Sequence, residues 1–387
     1  MKGNSGQPVG RRSARTKPLS RLAGARTFPI HGLHLIIATA VAILSACASG
    51  PSQKNDFVAP VYPPPPDTPR FVYERTLLYS DDVEEYTGAM RFRDFALGES
   101  RKIRGLVKPF DVAVRHGRVY VSDTVQRSVA VFDIPGKRFS EIGSMAPGEL
   151  VKPLGIDIGP DDRLYVCDVG ARRVMVYDTA GKFERMLGAD LPLQRPSDVA
   201  LNADGTRLYI IDTGGVNSDM HHVYVLDATS GKLIRRIGRR GSGNGEFNLP
   251  LQAAVAPDGT LYVVDSGNFR VEVFDPDGNF LSSFGSVGRF PGQFARPKGI
   301  AVDRAGNVYV VDTAFGNLQI FDGNGQLLMF IGERGEAGYP GKFMLPAGVA
   351  VDADGRVYVV DQFFRKVDIF RPANLVKDSP ETRAASR

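Results

Sequence analysis

Six aspartates recur along the chain at nearly even spacing, and carboxylates placed this regularly could form a ring of acids, bases or metal ligands. Each of them ends one copy of the pattern apolar-Tyr-apolar-x-Asp. The six are Asp123, Asp168, Asp212, Asp265, Asp312 and Asp361. Because the residue repeats together with the pattern, we expect each carboxylate to cap the turn after its own copy rather than to catalyse a reaction.

A second set of polar residues breaks the periodicity and is the better candidate for chemistry. Each copy is preceded by a proline, and the residues two places after these prolines are Asp111, Gly155, Asp198, Gln252, Gly299 and Gly348. If the repeats close into a ring, Asp111, Asp198 and Gln252 converge at one mouth of its central channel. Carboxylate and amide oxygens suit Ca²⁺ or Mg²⁺. The alternative is that these side chains make hydrogen bonds within their local turns.

The histidines and cysteines offer little further chemistry. His221 and His222 adjoin at a strand edge and would point to opposite sides of it. Cys167 lies in the middle of a strand, where a buried and inert thiol is expected. The chain has no CxxC pair and only five histidines, which argues against a structural zinc site. We therefore expect no cofactor, with Ca²⁺ or Mg²⁺ in the channel as the alternative.

The elements that must position these residues are short strands. The six repeated tyrosines lie 44 to 53 residues apart, and each copy contains short strand-like segments. Several of the linking turns (NADGT, APDGT, DADGR and DPDGN) are Asp-Gly hairpin signals. Four strands at such a period are typical of a blade of a β-propeller. The sequence therefore predicts an all-β, six-bladed propeller.

The repeats identify the kind of propeller. WD repeats need Trp, and the chain has none. The pattern GIAVD-x-x-G-N-VYVVD, followed by VFD and G-x-FL-x-x-FG, resembles NHL repeats instead. The resemblance covers residues 108–372 in six copies, and the sixth copy lacks a fourth strand. We expect the strand-like segment within residues 71–107, at 71–79, to complete the last blade and close the ring. A short helix is expected between residues 81 and 98, and residues 373–387 form a polar tail.

One face of the ring should carry the binding function. The loops after the repeated aspartates and the links between blades lie on the same side, which we call the top face. The long Gly-rich links 238–250, 285–297 and 332–346 bring a set of cations there, the rim cations: Arg239, Arg240, Arg289, Arg296, Arg334 and Lys342. With His221 and His222 they form the predicted partner-binding surface. The alternative is that these cations, and others such as Arg270 before the third strands, pair with Glu246, Glu333 and the repeated aspartates. The stretch 241–245 (GSGNG) is expected to be flexible.

The N-terminal segment predicts export. Residues 1–46 combine seven cations with the apolar run 32–44, which is too short to span a bilayer and suits a signal peptide. Leu44-Ser45-Ala46-Cys47 resembles the lipobox of bacterial lipoproteins, which implies cleavage before Cys47 and acylation of its thiol. Ala48 follows, and by resemblance this favours the outer membrane. Residues 47–70 are rich in proline and would form an extended linker.

Charge and localisation decide between the remaining functional classes. Without residues 1–46 the chain has 41 cations and 43 anions, so its body has a net charge of −2, which argues against nucleic-acid binding. We expect a lipid-anchored, non-catalytic, monomeric propeller that binds an envelope protein. The alternative is a divalent-cation-dependent hydrolase or lyase with its site at the channel mouth.

Overall fold

The fold is a ring of six antiparallel sheets, as predicted. The computed structural model describes residues 57–215 and 217–375. In the first five sheets the chain runs from the innermost strand outwards, and neighbouring strands of all six are antiparallel. Within the residues described, no helix is both long enough and apolar enough to cross a bilayer.

The first three blades are complete and are formed by consecutive strands. Blade 1 comprises β3 (Pro109–Arg115), β4 (Arg118–Asp123), β5 (Ser128–Asp133) and β6 (Arg138–Ile142). Blade 2 comprises β7 (Pro153–Ile158), β8 (Leu164–Asp168), β9 (Arg173–Tyr177) and β10 (Phe183–Leu187). Blade 3 comprises β11 (Pro196–Leu201), β12 (Arg207–Asp212), β13 (His222–Asp227) and β14 (Leu233–Ile237).

The next two blades repeat this order, and the sixth has only three strands from its own repeat. Blade 4 comprises β15 (Pro250–Val255), β16 (Leu261–Asp265), β17 (Arg270–Phe274) and β18 (Phe280–Phe284). Blade 5 comprises β19 (Pro297–Val302), β20 (Val308–Asp312), β21 (Asn317–Phe321) and β22 (Leu327–Ile331). Two short strands follow, β23 (Glu333–Arg334) and β24 (Lys342–Phe343), and blade 6 then comprises β25 (Pro346–Val351), β26 (Val357–Asp361) and β27 (Lys366–Pro372).

The N-terminal strand closes the ring, which confirms the predicted closure. β2 (Phe71–Leu77) pairs with β27 as the fourth strand of blade 6. A further strand, β1 (Val61–Tyr62), pairs with β2 outside it. The Tyr62 ring packs edge-on against Phe370 at 5.6 Å. The second half of the predicted linker 47–70 is therefore part of the propeller, because its prolines are tolerated at a sheet edge.

The predicted short helix lies between β2 and blade 1. A 3-10 turn at Ser80–Asp82 is followed by helix α1 (Gly88–Leu97). The Thr87 side chain accepts a hydrogen bond from the Met90 amide at the start of α1, and Gly98 ends the helix in the left-handed conformation. Both are ordinary helix caps.

The core lies between the blades. The second strands are buried along their whole length, as in VYVVD at 308–312 and 357–361. Each cluster of buried apolar side chains draws on two neighbouring blades. Because a blade packs on both faces, apolar residues occupy successive positions in these strands instead of alternating.

Candidate functional site

Every first strand contains a β-bulge. The bulge positions the residue that lies two places after the proline of that strand. In blade 1, Pro109 pairs with Asp123 and Val112 with Val121, so β3 contains one residue more than its partner. The same irregularity occurs in the first strands of the other five blades. A bulge re-aims a side chain relative to a regular strand. Asp111, Asp198 and Gln252 occupy this position in blades 1, 3 and 4.

The two aspartates make hydrogen bonds to the next blade as well as to the backbone beside them. A carboxylate oxygen of Asp111 accepts the amide of Ile156 in blade 2 at 3.0 Å. One of Asp198 accepts the amide of Ala253 in blade 4 at 2.8 Å. The local hydrogen bonds of the alternative are present, and the bonds to the next blade, which span 45 and 55 residues of chain, are additional to them.

Glycines at the same position make room for these side chains. A Cβ at Gly155 would overlap the Asp198 carboxylate, and a Cβ at Gly348 would overlap that of Asp111. A Cβ at Gly299 would approach the Gln252 amide oxygen to 3.0 Å. The two kinds of residue are thus complementary, and the polar side chains occupy space that the glycines leave open.

The side chain of Gln252 contains a hydrogen-bond acceptor that receives no hydrogen bond. Its side chain is almost fully buried, and its Oε1 atom has no hydrogen-bond partner among the described residues. A buried polar atom without a partner is costly. Within those residues, no three His, Cys, Asp or Glu side chains are grouped closely enough to hold a metal ion. The donors available to a cation here are therefore two carboxylates and one amide oxygen, which is the set that Ca²⁺ and Mg²⁺ accept.

Burial favours the protonated carboxyl groups in the channel. It raises the pKa of Asp111, and it raises that of Asp198 well above its ordinary value, with the charge of Asp111 as a second cause. Asp157, two positions beyond the bulge in blade 2, accepts the Leu201 amide at 2.8 Å. Burial raises the pKa of Asp157 to about 6, opposed by two backbone hydrogen bonds and Arg115. Asp111, Asp157, Asp198 and Gln252 line a cavity of about 270 Å³ enclosed by the first strands.

Lys298 adds an amine that sequence analysis missed. It directly precedes the bulge position of blade 5, and its Nζ donates a hydrogen bond to the Gln362 side chain at 3.0 Å. The same atom lies 4.7 Å from the centre of the Phe110 ring. Burial lowers the pKa of Lys298 to about 8, helped by the charge of Arg296. The sequence signal that could have identified Lys298 is its charge, because the other blades carry Phe, Leu, Ser, Leu and Ala at the same position.

The six repeated aspartates have the structural role that was predicted. One oxygen of Asp123 accepts the amides of Val125 and Gln126 in the following loop. The other accepts the amides of Val107 and Lys108 in the link that enters the blade. The other five aspartates also bind both segments, through the same or closely related bonds. These bonds also show that post-Asp loops and links meet on one face.

The rim cations divide into paired and unpaired groups. Arg239 lies 2.8 Å from a Glu246 carboxylate oxygen, and Lys342 is paired with Glu333. Arg240 and Arg334 donate to backbone carbonyls, which leaves their charge uncompensated. Within residues 57–215 and 217–375, no carboxylate pairs with the four remaining rim cations. These four are Arg240, Arg289, Arg296 and Arg334.

The cations before the third strands follow the predicted alternative of pairing with repeated aspartates only in part. Arg270 pairs with Asp265 at 3.5 Å and with Glu272 at 2.6 Å. Lys366 is buried and paired with Asp368 at 2.6 Å in its own strand. Among the residues that the structure describes, Arg270 alone pairs with a repeated aspartate. The other repeated aspartates have no such ion pair, because backbone amides already occupy their carboxylates.

The two adjacent histidines are not equivalent. His221 is fully buried, and its ring nitrogens contact the Leu249 amide and the Gly215 carbonyl. Its placement on the partner-binding surface was wrong, because its buried ring joins the loop after β12 to the link before blade 4. His222 is only partly buried and bonds the Gly238 carbonyl.

The Gly-rich links are ordered, so the expectation of a flexible 241–245 segment was wrong. Phe247, Phe294 and Phe343 are buried anchors, each two residues after a glycine. Each of those glycine amides, at positions 245, 292 and 341, donates to a polar side chain of the next third strand. The three acceptors are Glu272, Gln319 and Asp368.

The top face also exposes large apolar side chains, which sequence analysis overlooked. Phe290 and Tyr339, in the two links on either side of blade 5, are 75% and 70% exposed. Met145, in the link after blade 1, is 78% exposed. Others on this face are Val125, Val151, Val287 and Phe363. The sequence does show apolar residues in these links besides the buried phenylalanines, and they could have indicated the exposed surface.

Two family matches agree with this geometry. Residues 104–201 match a family described as a 6-bladed beta-propeller, and residues 247–274 match the NHL repeat. The chain is a six-bladed NHL-repeat β-propeller. A stretch of 49 residues is 45% identical to Protein lin-41 of Caenorhabditis elegans. That match covers 13% of the propeller chain and 4% of the lin-41 protein.

Solved structures share the fold of the propeller at low sequence identity. A gluconolactonase from Xanthomonas campestris is 20% identical with a TM-score of 0.54, over 69% of this chain and 86% of that one. A Bacteroides thetaiotaomicron protein of unknown function is 18% identical with a TM-score of 0.55, over 69% and 70%. Virginiamycin B lyase from Staphylococcus aureus is 13% identical with a TM-score of 0.50, over 70% and 96%. Cys47, the predicted lipidation site, lies outside the described residues.

Proposed function

We propose that the propeller is a non-catalytic docking module of the cell envelope whose top face binds a protein. The observation that carries the proposal is the combination of exposed aromatic and aliphatic side chains with unpaired arginines on that face. Phe290 and Tyr339 lie in the same links that carry Arg289 and Arg334. Aromatic residues and arginine are enriched in protein interfaces.

The chemistry of the surface describes the partner. Exposed apolar side chains and the unpaired Arg240, Arg289, Arg296 and Arg334 on one face suit a protein surface that offers apolar contacts and carboxylates. The links that carry these residues are anchored by buried phenylalanines, so little conformational entropy is lost on binding. Such a surface gives recognition without requiring a reaction at the site.

A matched pair of double variants tests this proposal. Phe290→Ser/Tyr339→Ser alters the top face, whereas Leu328→Ser/Phe330→Ser alters two exposed apolar residues of outer strand β22. Each variant is used as bait in detergent-solubilised envelopes, and captured proteins are quantified against the wild type. We expect the first variant to lose a partner at least ten-fold while the second retains it. Equal capture by both variants would refute a top-face interface.

We further propose that Cys47 carries the lipid anchor and that the mature chain resides at the outer membrane. The support is the lipobox-like segment before Cys47 and the Ala that follows it. Metabolic labelling with an alkyne fatty acid tests the anchor. Cys47→Ser should abolish the label, and Cys167→Ser should keep it. Label that survives Cys47→Ser would place the modification elsewhere.

A second candidate function is a divalent-cation-dependent hydrolase or lyase acting at the channel. It is favoured by the unpartnered Gln252 Oε1 beside Asp111 and Asp198. A cation there would be held by these three side chains and would supply Lewis acidity to a bound substrate. The gluconolactonase and the virginiamycin B lyase with this fold are named as enzymes, which makes a catalytic channel worth testing.

Cation binding separates the two candidates. The chelator-treated protein is titrated with Ca²⁺, Mg²⁺ or Zn²⁺, and its melting temperature is followed. A rise that disappears in Asp111→Asn/Asp198→Asn supports the channel site. If no cation changes the melting temperature of the wild type, the enzymatic candidate fails and the docking proposal is unaffected.

A further inference from the structure

The cavity enclosed by the first strands has a polar end and an apolar wall. At the polar end lie Asp111, Asp198 and Gln252, at the bulge positions of blades 1, 3 and 4. From there the cavity follows the first strands to the hairpins after β7 and β11, on the face opposite the top face. Its wall consists of Val, Ala, Ile and Leu side chains from all six first strands.

The polar end offers oxygen atoms that the protein does not fully use. Asp111 and Asp198 each accept the amide of the next blade through Oδ2. Their Oδ1 atoms, and the Oε1 atom of Gln252, lie against the glycines that occupy the same position in the other three blades. Gln252 is only 3% exposed, and its Oε1 has no hydrogen-bond partner among the described residues. A buried acceptor in this state requires a donor from outside the chain.

Acidic groups outnumber basic groups around the cavity. Asp111, Asp157 and Asp198 supply three carboxyl groups, and Arg115 is the one cation among the described residues that line the cavity. Arg115 lies at the hairpin end and is already paired with Asp162. The cavity therefore favours a ligand with a positive charge at the end that enters deepest.

Lys298 does not supply the missing charge at the polar end. Its charge acts on Asp111, but its Nζ donates to Gln362 and pairs with no carboxylate in the part of the chain that the structure describes. The polar end is therefore open to an external cation.

A primary ammonium group matches this end more closely than a metal ion does. It carries three N–H donors and no acceptor, and the two carboxylates and the amide oxygen supply three acceptors. Ca²⁺ takes six to eight oxygen ligands and Mg²⁺ takes six, whereas the wall next to these three side chains is apolar. An alkyl chain attached to the ammonium group would bury its surface against that wall.

We propose that the cavity binds a free primary alkylammonium ion, with its head group at Asp111, Asp198 and Gln252 and its chain along the apolar wall. From position 111 to position 115 the first strand of blade 1 extends about 13 Å. A lysine side chain presented by a partner protein is shorter than this, so the ligand is a small molecule. The proposal concerns the same three side chains as the cation-dependent candidate and is independent of the docking function.

Calorimetric titration of n-butylammonium chloride into the full chain, in chelator-containing buffer, tests the proposal. Butan-1-ol keeps the alkyl chain without the charge, and n-butyltrimethylammonium keeps the charge without the N–H donors. We expect both to bind at least ten-fold more weakly than n-butylammonium. Gln252→Leu should weaken binding of n-butylammonium at least ten-fold, whereas Gln194→Leu, the same change at an exposed position outside the cavity, should leave it unchanged.

The affinity for n-butylammonium should rise with pH. The ammonium group pairs with ionised carboxylates, and burial raises the pKa of Asp111 to about 7. Between pH 6 and pH 8 the proton that competes with the ligand is lost, while the amine remains charged as a lysine amine does. We therefore expect binding to tighten several-fold over this range in the same titration.

Four results would overturn the proposal. The first is no binding of n-butylammonium to the wild type, and the second is equal affinity for n-butylammonium and butan-1-ol. The third is equally tight binding of Nα-acetyl-lysine amide, which would identify a protein side chain as the occupant. The fourth is binding of Ca²⁺ or Mg²⁺ without binding of the amine, which would support the cation-dependent candidate instead. Melting curves establish that both glutamine variants are folded, and the ligand comparison on the wild type decides the question without them.

Discussion

Burial in the channel raises the pKa of two single residues, Asp111 and Asp198. Asp111 and Asp198 each accept one amide from the next blade, yet both are buried and close enough to influence each other. Two buried carboxylates that interact in this way cannot both ionise without a counter-charge. A proton or a cation that neutralises one of them would therefore stabilise this arrangement, and its response to pH would distinguish the aspartates from ordinary hydrogen-bonding residues.

Asp111→Asn should reduce the loss of stability at alkaline pH. Burial raises the pKa of Asp111 to about 7 from an ordinary 3.8. Between these values the folded chain retains a proton that the unfolded chain has released, so the free energy of unfolding falls as pH rises. In chelator-containing buffer, the fall between pH 5 and pH 8 should be about 2 kcal/mol smaller in the variant than in the wild type.

Denaturant unfolding at the two pH values measures this difference. Asp190→Asn is the control, because Asp190 is exposed. It should leave the pH dependence of the wild type unchanged. A wild-type protein that is more stable at pH 8 than at pH 5, or an Asp111→Asn variant with the wild-type slope, would show that the Asp111 carboxyl is not held protonated.

Part of this site could be predicted from residue types alone. Asp111, Asp198 and Gln252 were found because they interrupt a glycine position in an otherwise regular repeat. The state of the rim cations could not be predicted, because whether Arg239 meets Glu246 or Arg296 stays unpaired depends on how the links fold back. Lys298 was missed for a related reason, since its contacts Gln362 and Phe110 come from two other blades.

At the level of elements, the links between blades are structural units in their own right. A glycine, a buried phenylalanine two residues later and a polar side chain of the next third strand recur in the links before blades 4, 5 and 6. Short parallel bridges such as Arg240–Phe247 and Val287–Phe294 complete them. The long links therefore need no disorder to explain their glycines, and they present the exposed Phe290 and Tyr339 from fixed positions.

The closing strand offers a test at the scale of elements. Leu77 in β2 is fully buried against side chains of blades 1 and 6. Leu77→Ala should reduce the free energy of unfolding by about 2–5 kcal/mol, through lost burial and the cavity that remains. Leu328→Ala makes the same change at a 41% exposed position of β22 and should cost within about 0.5 kcal/mol.

Chemical denaturation of both variants gives the comparison. Similar losses for Leu77→Ala and Leu328→Ala would mean that β2 contributes no more to stability than an exposed outer strand. In that case the ring would be closed by the remaining strands of blade 6 alone.

At the scale of the whole molecule, blade number and closure followed from local patterns. Each VYVVD-type strand is buried on both faces and recurs once per blade, so the six sheets could be counted along the chain. The contribution of residues 57–70 was less accessible, because a proline-rich stretch is typical of a linker. Only the pairing of Val61–Tyr62 with β2 and the contact of Tyr62 with Phe370 make it part of blade 6.

The distribution of charge predicts how the partner associates. Arg289→Glu/Arg296→Glu reverses two rim cations that have no carboxylate partner among the described residues. We expect at least a ten-fold slower association with the captured partner at low salt, and a smaller difference at high salt. Arg239→Gln is the control, because Glu246 already neutralises that charge. Surface-based binding kinetics at two ionic strengths measure the effect, and equal rates for all three proteins would exclude electrostatic steering by the rim.

Site-specific photo-crosslinking tests the docking function most directly. A photoreactive phenylalanine analogue is placed at position 290 on the top face or at position 330 on the outer strand of blade 5, in the full chain expressed in its own cells. We predict a discrete protein adduct from position 290 that is absent from position 330 and is lost when Tyr339→Ser is added. No adduct at position 290, or the same adducts at both positions, would contradict a partner bound on the top face.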